Sequence, residues 1–399
     1  MKHRLLPPCL WLLLCLGGAA MAETSSTPAT RGIMSCAPGP WGRVSYYHFY
    51  LEAPDYVVAQ FPLPSSITKW VFDVDELDLI SPRLEQAGLP PSMVAGMLEP
   101  RRVVKNSRHA YLFPPHAELE ALSPEVRSAV YALLARNPAN VFHFSPVFFL
   151  ADSVEEWAKN SDIPDDLLQR IKALTYKSGE AWVFSDVPLL LSHARGVTEA
   201  RFIMQKLTRV RTLMPQLEIS QDDSLPELLN YWTTGLGLRR REIEPLLRAI
   251  VRTEGVSHLD LLHLLPPLAR KLLYTYPDAS MATEGRLPDC HWTSLNFFNF
   301  SPEPYLLDTR LATSTVREEF GNVDEPYRYG DVLMFIRRDG RAVHSATYLA
   351  DDLVFSKNGS NMLAPWLLMR LEDLRKLYNV SPEGTRIEGF RHKKHGASE

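Results

Sequence analysis

Cys290 and His344 are the two residues whose types and settings could do covalent chemistry together. Cys290 stands in Asp289-Cys290-His291-Trp292-Thr293-Ser294-Leu295-Asn296-Phe297-Phe298, which reads as the opening of a helix. A helix start presents unpaired N–H groups and partial positive charge, and both favour thiolate over thiol. The same N–H groups can hold the oxyanion that forms when the sulfur attacks a carbonyl. His344 lies in Val343-His344-Ser345-Ala346-Thr347-Tyr348, a run that follows the turn residues Arg338-Asp339-Gly340 and therefore reads as a strand. A second turn at Ala350-Asp351-Asp352 returns Leu353 to Asn358 beside it. If those three residues form the turn, Asn358 falls opposite His344 and Ser356 projects to the same face. A thiol on a helix start, an imidazole on a strand and a polar side chain on the next strand are the parts of a Cys-His-polar triad. Asn358 is the preferred orienter, because an amide fixes an imidazole N–H more rigidly than a hydroxyl does, and Ser356 is the other candidate. His291 is expected to tune or shape the pocket rather than act as the base, since adjacent helical residues point apart.

The elements that must position these groups are legible from Tyr274-Thr275-Tyr276-Pro277 onward. A loop rich in Pro, Gly and Asp leads to the cysteine, and Tyr329-Gly330-Asp331 breaks the chain before the strand Val332 to Ile336. Upstream, short β-type runs at Ser45 to Tyr50 and Lys69 to Asp73 precede a helix-rich stretch. Ser123-Pro124-Glu125 is a capped helix start. Apolar spacing predicts further helices near Val154 to Tyr176, Thr198 to Met214, Leu225 to Thr234, Arg241 to Thr253 and Leu259 to Leu273, with strands at Val141 to Leu150 and Trp182 to Leu191. The expected organisation is a mostly helical α+β domain over 44–256 followed by a second domain over 257–399.

The second domain resembles the NlpC-type papain-like cysteine peptidases, bacterial enzymes that cut amide bonds in cell-wall peptides. The matching elements are Asp289-Cys290 opening a helix, Gly330-Asp331-Val332 opening a strand, and His344-Ser345-Ala346-Thr347-Tyr348-Leu349 followed by a polar residue on the next strand. The resemblance implies an α+β, papain-like fold with a cysteine-bearing helix packed on an antiparallel sheet. It implies Cys290 as nucleophile, His344 as general base, and Ser356 or Asn358 as third member. It also implies that Tyr276 lines the catalytic pocket, with Asp289, His291 and Trp292 at the substrate. Where the family usually follows its Asp-Cys pair with Ser and Gly, this chain has His291 and Trp292, which bears on the substrate and not on the nucleophile.

The N-terminus sets the compartment. Lys2 and Arg4, the apolar run Leu5 to Leu16 and the small-residue site Ala20-Met21-Ala22 form a secretory signal peptide over 1–22. The run is too short to span a bilayer, and no later segment reads as a membrane helix. Residues 23–43, rich in Ser, Thr, Pro, Gly and Ala, read as a disordered linker. Cleavage leaves Cys36 and Cys290 as the mature thiols, either bridged or free; a disulfide scaffold is excluded. A net charge of -4 predicts no attraction to nucleic acid. The resulting expectation is a secreted or periplasmic hydrolase acting on amide bonds, with peptidoglycan peptides as the suggested substrate and no metal or cofactor required. The alternative is a non-catalytic envelope binding or assembly protein on the same scaffold.

Overall fold

The computed structural model describes residues 32–233, 240–378 and 384–395. The signal peptide expected over 1–22 lies outside the described residues. A long antiparallel ribbon organises the rest. Strand Arg43–Leu51 pairs with strand Val210–Glu218 along its whole length, from Arg43 opposite Glu218 to Leu51 opposite Val210. The intervening chain forms a helical lobe with its own core around Trp70, Tyr131, Phe184 and Leu207. Two three-stranded antiparallel sheets cap that core, one including Trp70–Asp73 and the other Ala181–Phe184.

Local chemistry explains several element ends. Ser123 Oγ accepts from the Val126 N–H, so the capped helix start forms as expected, and the helix Pro124–Leu134 buries Val130, Tyr131 and Leu134. Other expectations are corrected. The helix expected over Thr198 to Met214 ends at Leu207, and the ribbon strand begins at Val210. Its alternating burial from Leu213 onward is set by pairing with a strand far away in sequence, which helical periodicity cannot reveal. The helix expected over Val154 to Tyr176 is two, Val154–Ala158 and Asp165–Leu174, because Pro164 starts the second. Val141–Phe144 is a single helical turn before the strand Val147–Phe149, and Ala181–Phe184 gives way to the helix Val187–Ser192. Likewise, Pro266 and Pro267 confine the Leu259 to Leu273 helix to Pro267–Leu272.

The C-terminal sheet has six antiparallel strands in the order Phe320–Val323, Arg386–His392, Val332–Ile336, Ala342–Ala350, Leu353–Lys357, Trp366–Arg370. Val44, Leu213, Leu217 and Trp232 share one core with Trp292, Phe355 and Trp366, so the ribbon belongs with the C-terminal sheet. Thr212 Oγ1 donates to the Leu368 carbonyl at 2.9 Å and locks the two together. The expected boundary at 256 therefore gives way to a helical lobe inserted between two strands of the other lobe's core.

The disordered linker expected over 23–43 is ordered where it is described. Met34–Ser35 pairs with Tyr46 and Ser45, the Cys36 N–H donates to the Val44 carbonyl at 2.8 Å, and Trp41 meets Tyr231 edge-on. Backbone pairing supplies the order that its composition does not suggest. Among the described residues no helix is long and apolar enough to cross a membrane.

Candidate active site

The short helix Cys290–Leu295 begins at Asp289, whose carboxylate accepts from the Trp292 N–H at 2.8 Å. Asp289 thus shapes the helix start rather than facing a substrate. Trp292 points the other way, 3% exposed and tilted against Trp366, whose indole N–H donates to Thr293 Oγ1 at 2.9 Å. The expected substrate contact at Trp292 is replaced by a core contact that seats the helix on the sheet. Tyr276 is corrected in the same way. Its ring joins the helical lobe's core and Glu52 is the charge that reaches its buried hydroxyl.

The strand hairpin forms as expected, with Asp351 in the left-handed region at φ 51. Its ladder runs from Ala350 opposite Leu353 to Thr347 opposite Phe355. Beyond that point His344 bonds Ser356 across the strands, and Ser345 bonds the cysteine helix at Ser294 and the Cys290 carbonyl. A bulge falls at the preceding residue, since Phe335 pairs with His344 and Ile336 with Ala342, and bulges re-aim the side chains beside them. Gly330, at φ 90, opens the neighbouring strand, where a Cβ would lie 2.2 Å from the Phe298 ring. Asp331 then accepts from Arg391 Nε and Nη2, both at 2.7 Å, so this part of the family-like motif ties the strand to the last one.

The structure brings Cys290, His291, His344, Ser356 and Asn358 together. His344 is fully buried, stacked on Tyr378 at 4.1 Å between centroids and edge-on to Phe335. Its Nε2 lies 3.0 Å from Ser356 Oγ, and Ser356 Oγ donates to Asn358 Oδ1 at 3.1 Å. A hydroxyl has one proton, and here Asn358 takes it. Ser356 must therefore accept from His344 Nε2–H, which leaves Nδ1 as the basic nitrogen of the neutral ring. Nδ1 is buried with no nitrogen or oxygen partner, and the hydrogen bond that links His344 to the Cys290 sulfur falls to it. The expected preference for Asn358 as direct orienter is thus corrected. Ser356 touches the ring, and Asn358 sets the serine's proton.

Cys290 is buried, with 6% of the residue exposed. Burial pushes its pKa up, but the charges of His344 and then His291 outweigh burial and bring it from 9.0 to about 5. The helix has only six residues, and the neighbouring imidazoles rather than its dipole do this. Burial pulls His291 down, yet Cys290, Asp289 and the Ala342 carbonyl hold it up at about 9. Lys357, also fully buried, donates to the Gly359 and Asn361 carbonyls at 2.8 and 3.2 Å, and burial lowers it to about 7. Sequence reasoning missed Ser294, Ser345, Lys357 and Tyr378 here. Ser345 had the one available signal, its place next to His344 in a run already singled out.

A thiol that passes its proton to the neighbouring imidazole can attack a carbonyl, and the imidazole can then return that proton to the leaving group. Among the described residues no group of three His, Cys, Asp or Glu side chains could hold a metal ion. Comparison with known proteins identifies no matching family model, no similar curated protein and no similar solved structure.

Proposed function

We propose that the chain is an exported thiol hydrolase that cleaves amide bonds, with the cell-wall peptides of bacteria as its substrate class. The observation that carries the reading is the convergence on one sulfur of a tautomer-fixed imidazole, His344, and a second imidazole, His291, which together lower the thiol to about 5. Cys290 attacks the carbonyl carbon and His344 protonates the departing amine. Water then resolves the thioester. The substrate class rests on the resemblance of the Asp289-Cys290, Gly330-Asp331 and His344 segments to NlpC-type peptidases and on the signal-like N-terminus.

Digestion of purified cell wall with the mature protein tests this. New amine termini are expected with the parent and none with Cys290→Ala; identical product profiles would retire the hydrolase. A second reading, a binding protein that keeps the scaffold without turnover, is favoured by one observation. Cys290 is only 6% exposed and Tyr378 covers His344. Its signature is retention on cell wall by both proteins with no product from either.

A further inference from the structure

Two imidazoles flank one sulfur, and a proton count separates their roles. Three close contacts link Ser294, Ser345 and the Cys290 carbonyl. Ser294 Oγ donates to Cys290 O at 2.7 Å, Ser345 Oγ lies 3.2 Å from the same oxygen, and the two hydroxyls are 2.8 Å apart. Both serine protons point to the Cys290 carbonyl, and two hydroxyls have only two. None remains for the fourth contact, His291 Nδ1 to Ser345 Oγ at 3.0 Å, so the ring donates that bond.

The other groups around His291 also favour its charged form. Burial works against the charge, but the Cys290 sulfur, the Asp289 carboxylate and the Ala342 carbonyl outweigh it. The remaining titratable groups around the sulfur are His344 on its strand, Lys357 on the next strand and Tyr378 on the helix Leu371–Tyr378. Lys357 is committed to the Gly359 and Asn361 carbonyls, and Tyr378 to its stack on His344. His344 is the contrasting case, because its Nε2–H goes to Ser356 while Nδ1 has no other nitrogen or oxygen partner and is left to the sulfur.

We propose that the two imidazoles divide the work: His291 keeps its proton throughout and stands as a fixed positive charge at the sulfur, while His344 Nδ1 carries the proton that moves. This rests on the thiol-hydrolase reading. In acylation the thiol proton passes to His344 Nδ1 and a sulfur–carbon bond forms on the substrate carbonyl. The carbon–nitrogen bond then breaks as Nδ1 returns that proton to the departing amine. In deacylation a water gives a proton to Nδ1, its oxygen bonds to the thioester carbon, the carbon–sulfur bond breaks, and Nδ1 returns the proton to sulfur. His291 gains and loses nothing.

The test is the pH dependence of Cys290 alkylation by iodoacetamide, followed by intact mass in a Cys36→Ser background, together with the pH profile of cell-wall turnover. His291→Gln should move the alkylation midpoint upward by about one pH unit or more, about a tenfold slower reaction below the parent midpoint. Its turnover should fall at low pH and recover toward high pH. Ser345→Ala, which keeps the imidazole and removes its acceptor together with the serine's contacts to Ser294 and the Cys290 carbonyl, should shift the midpoint in the same direction by less, and guards against a misfolded Gln variant. His344→Gln should lose turnover at every pH while Cys290 still alkylates. Midpoints equal to the parent's in both His291→Gln and Ser345→Ala would overturn the division of labour and leave the hydrolase standing. A parent whose Cys290 alkylates only above pH 8 would overturn both.

Discussion

Cys36 and Cys290 are free thiols in one chain, and each is largely withdrawn from water. Burial raises Cys36, the Asp351 and Asp352 carboxylates raise it further, and Arg370 opposes them only in part, leaving it at about 12. Burial opposes ionisation at Cys290 too, but the groups beside that sulfur are imidazoles, and it falls to about 5. Withdrawal from water therefore suppresses a thiolate in both places, and the sign of the neighbouring charge separates a thiol held protonated from one that ionises.

Labelling at pH 7 breaks or sustains this contrast most directly. Cys36 is held protonated well above pH 7 while Cys290 ionises below it, so iodoacetamide should modify Cys290 at least ~100-fold faster despite its narrow exposure. Equal slow rates, read by peptide mass, would show that burial governs both. A finer contrast lies behind His344. Ser356→Ala leaves Nε2–H buried without an acceptor, which costs about 1–3 kcal/mol and should slow turnover by about tenfold or more. Asn358→Ala only frees the serine's proton and should slow it by a few-fold; the reverse ranking in steady-state rates would refute the proton chain.

The smallest expected effect is on stability. Cys290 is lowered, so its contribution is lost as pH falls through about 5; His291 is raised, so its contribution is complete below 6.5 and lost as pH rises through about 9. Between about 5 and 6.5 the unfolded chain binds one more proton from this pair than the folded chain, so stability should climb with pH. From 6.5 to about 9 the two counts match and the pair adds no slope. Urea midpoints of the parent minus those of Cys290→Ala should show that climb and then a level stretch. A flat difference across the whole range would mean that the pair is not ionised.

Much of the site was legible because it is local. Asp289-Cys290 marks a helix start through a cap that acts within three residues, and the hairpin carrying His344 follows from turn residues at Arg338-Asp339-Gly340 and Ala350-Asp351-Asp352. Ser356 and Asn358 could be placed on the right strand end by counting, but not ranked. The ranking depends on where one hydroxyl proton goes, and that is settled by two contacts, only one of which involves the imidazole. Trp292 and Tyr276 misled because proximity in sequence to the cysteine says nothing about which face of the helix or loop meets the core. The Thr198 to Met214 helix failed for the same reason on a larger scale, since a strand whose partner lies at residues 43–51 carries no local mark of its pairing.

By itself the amino-acid sequence determined which residues could react, the order of helix, strand and strand that carries them, and the alternation that puts polar side chains near His344. These depend on capping, turn chemistry and the two-residue period of a strand, all of which act over a few residues. Only the tertiary structure decided that the helical lobe is an insertion within another core, that His291 and His344 meet at one sulfur, and that Cys36 meets carboxylates instead. Charge–charge interactions and burial act through space between residues far apart in the chain, so no reading along the chain could rank them.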